Sequence, residues 1–153
     1  MVTVACTPCP NDTFIFYAWA NGIVGDACQL AMGDIEQLNE WALQHIYDVT
    51  KVSIGVLPFI AEEYELLPLG AALGEQCGPK LIATAPKGEV VGLRVALPGK
   101  NTTAALLFEH FFGDQDCERI YCLYHEVESL LQEGRADCGV IIHETRFTYL
   151  QHG

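Results

Sequence analysis

An α/β fold is predicted by three features of the sequence. Short β-branched runs alternate with segments of helical period almost from end to end, half of the residues are hydrophobic, and the joints carry proline, glycine or a polar cap. Alternation of this kind builds βαβ units on a mainly parallel sheet.

Residues 2–6 read as the first strand, closed by the turn Thr7-Pro8-Cys9-Pro10. Asn11 or Asp12 is placed to cap a helix running through Phe14, Ile15, Tyr17 and Ala18 to a stop at Asn21-Gly22. Asp34 starts a second helix, with Gln37 as capping-box partner and Ile35, Leu38, Trp41 and Ala42 on one apolar face, ending near His45. Residues 48–53 form a strand and 54–66 a helix, where Pro58 is tolerated near the first turn. After a strand over 81–85, the polar turn Pro86-Lys87-Gly88-Glu89 marks the best boundary, dividing the chain into 1–86 and 87–153. The second part then reads as strand 93–97, helix 102–112, strand 119–124, helix 126–132 stopped by Gly134, and strand 138–143.

Composition narrows the partners. The 153 residues carry 20 acidic and 8 basic side chains, a net charge of −12, which repels nucleic acid and anionic membrane surfaces alike. No run approaches the roughly 20 apolar residues that cross a bilayer, and residues 1–6 lack the basic start of an export signal. Seven cysteines, an odd count in an apolar-rich chain, fit reduced thiols in the cytoplasm.

Several segments have the means for chemistry. Cys6-Thr7-Pro8-Cys9 matches C-x-x-C at a strand-helix joint, the place of a thioredoxin-type pair, but it follows the first strand, and Pro10 alters the helix start, so coincidence is the plainer reading. No second pair of ligand-spaced Cys or His residues accompanies it, so no metal is expected. Pro98-Gly99-Lys100-Asn101-Thr102-Thr103 joins a strand to a helix, where free N–H groups and two hydroxyls suit a carboxylate or phosphate; simple capping by Asn101 or Thr102 is the alternative. Ile141-Ile142-His143-Glu144 sets a histidine at the carboxyl end of an apolar strand, beside Glu144 and Arg146, which are able to fix its tautomer. Lys51, on the strand 48–53 with Thr50 and Ser53, is either a counter-charge for an anion or a solvated edge lysine.

Taken together these segments resemble the 1,4-dihydroxy-6-naphthoate synthases of the futalosine route to menaquinone. The resemblance rests on the strings from Pro8 to Tyr17 (PCPNDTFIFY) and from Ile141 to Tyr149 (IIHETRFTY). Asp34-Ile-Glu-Gln-Leu-Asn, Thr50-Lys51-Val52-Ser53, Cys77-Gly78-Pro79 and Thr102-Thr103-Ala104 stand between them in family order. It implies a type II periplasmic-binding-protein-like fold, two lobes around a cleft, serving a cytoplasmic lyase. That lyase splits cyclic dehypoxanthinyl futalosine with no cofactor. It further implies His143 as proton acceptor, with Lys51, Val52, Ser53, Thr102, Thr103 and Ala104 as substrate contacts and Asn11 and Asp12 at the cleft edge. The expected partner is a small carboxylate substrate. Family chains continue past the equivalent of Gly153, so the first lobe is expected to be incomplete, with apolar side chains between Val2 and Ala85 uncovered and a complementary chain or self-association needed. The alternatives are a chorismate dehydratase-like enzyme, a non-catalytic anion-binding module and an inactive fragment.

Overall fold

The structure, a computed structural model, describes residues 1–72, 78–85, 88–142 and 147–151. The chain divides into two compact units, Met1–Leu73 and Gly74–Gly153. The sequence reading set this division after residue 86, and Pro86 and Lys87 lie outside the described residues.

In the first unit, β1 (Thr3–Cys6) lies between two parallel neighbours, β2 (Gln29–Met32) and β3 (Val49–Thr50). Val4, Ala5 and Cys6 are fully buried, as a strand flanked on both sides demands. β2 escaped the sequence reading because Gln29-Leu30-Ala31-Met32 has no β-branched residue, yet it pairs with β1 along its whole length, from Thr3 with Gln29 to Cys6 with Met32. The Asp48 carboxylate pins β3 to β1 by accepting the Thr3 N–H and hydroxyl, both at 2.8 Å.

Helix α1 (Pro10–Ala20) begins one residue before the expected caps: Cys9 is its N-cap and makes no side-chain bond, and Pro10 opens it at the position where a missing N–H costs nothing. Asp12 is the only buried residue of α1, whereas Phe14 is 84 % exposed. Helix α2 (Ile35–Leu43) is capped as expected by Asp34, whose Oδ1 accepts the Glu36 N–H at 2.9 Å. The helix expected over 54–66 is much shorter. A 3₁₀ turn at Ile54–Val56 leads into α3 (Leu57–Ile60), and a turn closed by the Tyr64 N–H on the Ile60 carbonyl at 2.9 Å then ends it. Glu62, Glu63 and Glu65 would crowd the negative end of any longer helix, and Tyr64 instead donates its hydroxyl to the Tyr47 carbonyl at 2.7 Å. Ala42, Val56 and Ile60 form the small core beneath.

The second unit holds β4 (Lys80–Ile82), β5 (Arg94–Pro98), α4 (Thr103–Phe112), β6 (Glu118–Cys122), α5 (Val127–Gln132) and β7 (Cys138–Ile141), with sheet order β4-β7-β5-β6. β5 runs parallel to β6 and β7, but β4 is antiparallel to β7, with Lys80 opposite Ile141 and Ile82 opposite Gly139. The strand assigned from sequence to the first part therefore belongs to the second sheet. Alternation along β5 serves two cores: Val95 and Leu97 meet Phe108 of α4, while Ala96 meets Val127 and Leu131 of α5. Gly139 is required between these layers, because a Cβ there would stand 2.6 Å from Val127 Cγ1.

Candidate functional site

Within the first unit, polar side chains gather where β1 and β3 end. β1 delivers the chain into the Thr7 turn, and the ladder to β3 carries one residue further, since Lys51 N–H donates to the Ala5 carbonyl at 2.9 Å. Asp12, on the first turn of α1, points back into this corner and is only 3 % exposed. Its Oδ2 accepts the Thr7 hydroxyl at 2.7 Å and the Thr7 N–H at 3.1 Å, and its Oδ1 faces Lys51 Nζ at 2.9 Å. Lys51 donates again to the Gly70 carbonyl at 3.2 Å. The lysine proposed from sequence as a counter-charge for an anion is thus already paired with a buried carboxylate, and the pair together carries no net charge. Asn11, its neighbour, is exposed.

Val52 packs against the Ala42, Val56 and Ile60 core, which leaves its backbone as the part able to meet a ligand. Ser53 is 7 % exposed and is gripped by Asn39, a fully buried residue of α2. Ser53 N–H donates to Asn39 Oδ1 at 2.8 Å, and Asn39 Nδ2 donates to Ser53 Oγ at 3.1 Å. Sequence reasoning passed over Asn39, although a signal existed: it lies four residues after Ile35 and three before Ala42, on the face already identified as apolar.

In the second unit, β5 ends at Pro98, Gly99 turns with φ +83°, and α4 starts behind Thr102. Thr102 is the N-cap, its Oγ1 accepting the Ala105 N–H at 3.2 Å, so the capping alternative describes its hydroxyl. Ala104 is buried, with its methyl in the core cluster of Val95, Leu97 and Phe108. What Thr103 and Ala104 can offer a ligand is their N–H groups, among those a helix start leaves without an intrahelical partner, together with the half-buried Thr103 hydroxyl. His143, Glu144 and Arg146 lie outside the described residues, just past the end of β7 at Ile141.

The Cys6-x-x-Cys9 pair has the wrong electrostatics for redox work. Burial, and then the charge of Asp12, push the Cys6 thiol from 9.0 up to about 11, opposite to the thiolate character such chemistry needs. Cys6 and Cys9 are both free thiols. Among the described residues no group of three or more His, Cys, Asp and Glu side chains is arranged to hold a metal ion, and no helix is long and apolar enough to cross a membrane. A cavity of about 520 Å³ in the second unit, lined by Leu81, Val90, Phe112, Gln115 and Cys138 among others, includes none of the residues expected at the site.

Comparison with known proteins places this geometry in a lineage. A family profile described as "Menaquinone biosynthesis" matches residues 2–153. The chain is 38 % identical over 156 residues to 1,4-dihydroxy-6-naphthoate synthase of Streptomyces coelicolor, covering 98 % of this chain and 55 % of that protein. It is 39 % identical over 149 residues to the enzyme of the same name from Thermus thermophilus, covering 96 % of this chain and 54 % of that one. The chain therefore spans about half the length of the curated relatives it matches.

Among solved structures, protein AF1704 from Archaeoglobus fulgidus superposes with a TM-score of 0.89 at 32 % identity, over 99 % of this chain and 57 % of that chain. The periplasmic aliphatic sulphonate binding protein SsuA of Escherichia coli gives a TM-score of 0.60 at 12 % identity, over 99 % of this chain and 57 % of its own. The latter likeness shows the fold alone, and the fold is that of the periplasmic binding proteins. With a profile match that leaves out only Met1, the chain belongs to the menaquinone biosynthesis family.

Proposed function

We propose that this chain supplies the chemistry of a carbon–carbon lyase, 1,4-dihydroxy-6-naphthoate synthase, acting in the cytoplasm on cyclic dehypoxanthinyl futalosine. The observation that carries the reading is identity of 38 and 39 % to two relatives of that name along nearly all of this chain. His143 is the proton acceptor, a base of near-neutral intrinsic pKa that takes up the proton as the carbon–carbon bond breaks. Lys51, Val52 and Ser53 contact the substrate, as do Thr102, Thr103 and Ala104 through the start of α4, where backbone N–H groups receive a carboxylate. Asp12 serves by holding Lys51 and the Thr7 turn in place, and Asn11 lies beside it on the exposed side. The reaction calls for no cofactor. The partner is a small carboxylate, and the net charge of −12 opposes nucleic acid and anionic membranes. Incubating the protein with cyclic dehypoxanthinyl futalosine and following products by mass spectrometry tests the reading: 1,4-dihydroxy-6-naphthoate is expected, and unchanged substrate would reject it.

A further inference from the structure

The contact between Asn39 and Ser53 has a direction. A backbone N–H only donates, so the Asn39 atom 2.8 Å from Ser53 N must be the amide oxygen. The amide nitrogen therefore faces Ser53 Oγ, at 3.1 Å, and an NH₂ group likewise only donates. Ser53 Oγ is thus an acceptor in this contact, and its proton points elsewhere. The usual use of a serine at this place is closed as well: Ser53 stands at the N-cap of the 3₁₀ turn Ile54–Val56 but makes no side-chain cap bond, and the Val56 N–H goes to the Ser53 carbonyl at 3.0 Å. Among the described residues the Ser53 hydroxyl proton has no acceptor, in a residue only 7 % exposed. A donor held in a buried place without a partner is costly unless a ligand completes it.

We infer that Asn39 is a positioning residue that fixes Ser53 as a hydrogen-bond donor, so the ligand group received there is an acceptor oxygen of a carboxylate or carbonyl. This rests on the proposed role of Ser53 as a substrate contact and adds what that contact selects. Ammonium groups of a ligand, which only donate, are disfavoured at Ser53.

Asn39→Asp tests the direction because the shapes match while the hydrogen bonding depends on protonation. The ionised carboxylate accepts from both the N–H and the hydroxyl of Ser53 and turns the proton inward. The neutral carboxyl restores one donor and one acceptor. With 1,4-dihydroxy-6-naphthoate as probe, calorimetry on the wild type, Asn39→Asp and Ser53→Ala is run at pH 8 and pH 5. Ser53→Ala is expected to bind about tenfold more weakly than the wild type at both pH values, and Asn39→Asp about tenfold more weakly at pH 8 with most of the loss recovered at pH 5. Equal weakening of Asn39→Asp at both pH values, or none, overturns the inference. Hydrogen exchange of the Asn39 side-chain amide in the wild type decides independently of any variant's folding. Slow exchange supports the donor assignment even if the probe fails to bind, in which case only the substrate reading falls. Exchange at the rate of a free amide overturns the assignment.

Discussion

Replacing Asp12 with alanine strands a lysine and two Thr7 donors in the corner where β1 ends. The carboxylate is 3 % exposed and accepts Lys51 Nζ at 2.9 Å and the Thr7 hydroxyl and N–H at 2.7 and 3.1 Å. Removing one member of a buried ion pair costs about 3 to 5 kcal/mol. The Lys51 side chain keeps 21 % exposure and the Gly70 carbonyl at 3.2 Å, which places the expected loss at the lower end, about 3 kcal/mol. For a domain the size of the first unit, that is a fall in melting temperature of roughly 12 to 24 °C. Urea denaturation and thermal melting read it directly. The double variant Asp12→Ala/Lys51→Met leaves no unpaired charge, so it is expected to be less destabilised than the sum of the single variants by at least about 1 kcal/mol. An Asp12→Ala protein within about 0.5 kcal/mol of the wild type refutes the argument that this pair holds the corner together.

Gly139→Ala places a methyl 2.6 Å from Val127 Cγ1 in a fully packed layer and is expected to destabilise the second unit by about 1 to 3 kcal/mol in denaturant titration. Thr102→Ala removes the cap bond to the Ala105 N–H and is expected to cost about 1 kcal/mol, while Thr102→Ser keeps the bond and most of the stability. Burial raises the Cys6 and Cys122 thiols from 9.0 to about 11, so between these values the native state holds protons that the unfolded state has lost. Stability is expected to fall as pH rises from 9 through 11, and melting scans across that window should show a smaller fall in a Cys6→Ala/Cys122→Ala variant.

Period and caps made much of this fold legible. Strand β1, helices α2, α4 and α5 and the edges of β5 and β7 follow from apolar runs bounded by Asp34, Thr102 and Gly134, where local chemistry and tertiary context agree. Tertiary context alone explains β2, whose Gln29-Leu30-Ala31-Met32 has no strand preference of its own and is set by pairing with β1. It also explains β4, since nothing local says that Lys80–Ile82 will turn antiparallel to a strand about sixty residues later, as the register Lys80 to Ile141 and Ile82 to Gly139 shows. At the candidate site, the family resemblance brings forward Lys51 and Ser53 as substrate contacts and Asp12 at the cleft edge, but it says nothing of how they bond. Asp12 reads from sequence as a helix cap and instead reaches back to Thr7 and Lys51, because the helix starts at Pro10 behind Cys9 and so holds Asp12 inside its first turn, past the cap position. Asn39 went unnoticed because a single polar residue on an apolar face has no meaning until its partner, fourteen residues on, is beside it.

Kinetics of His143→Ala test the proposed proton-acceptor role of His143 most directly. With cyclic dehypoxanthinyl futalosine as substrate, and circular dichroism showing an unchanged fold, the account predicts that kcat falls by about 10² to 10⁴ while the substrate still binds, since a general base contributes that much. An unchanged kcat in the variant would contradict it.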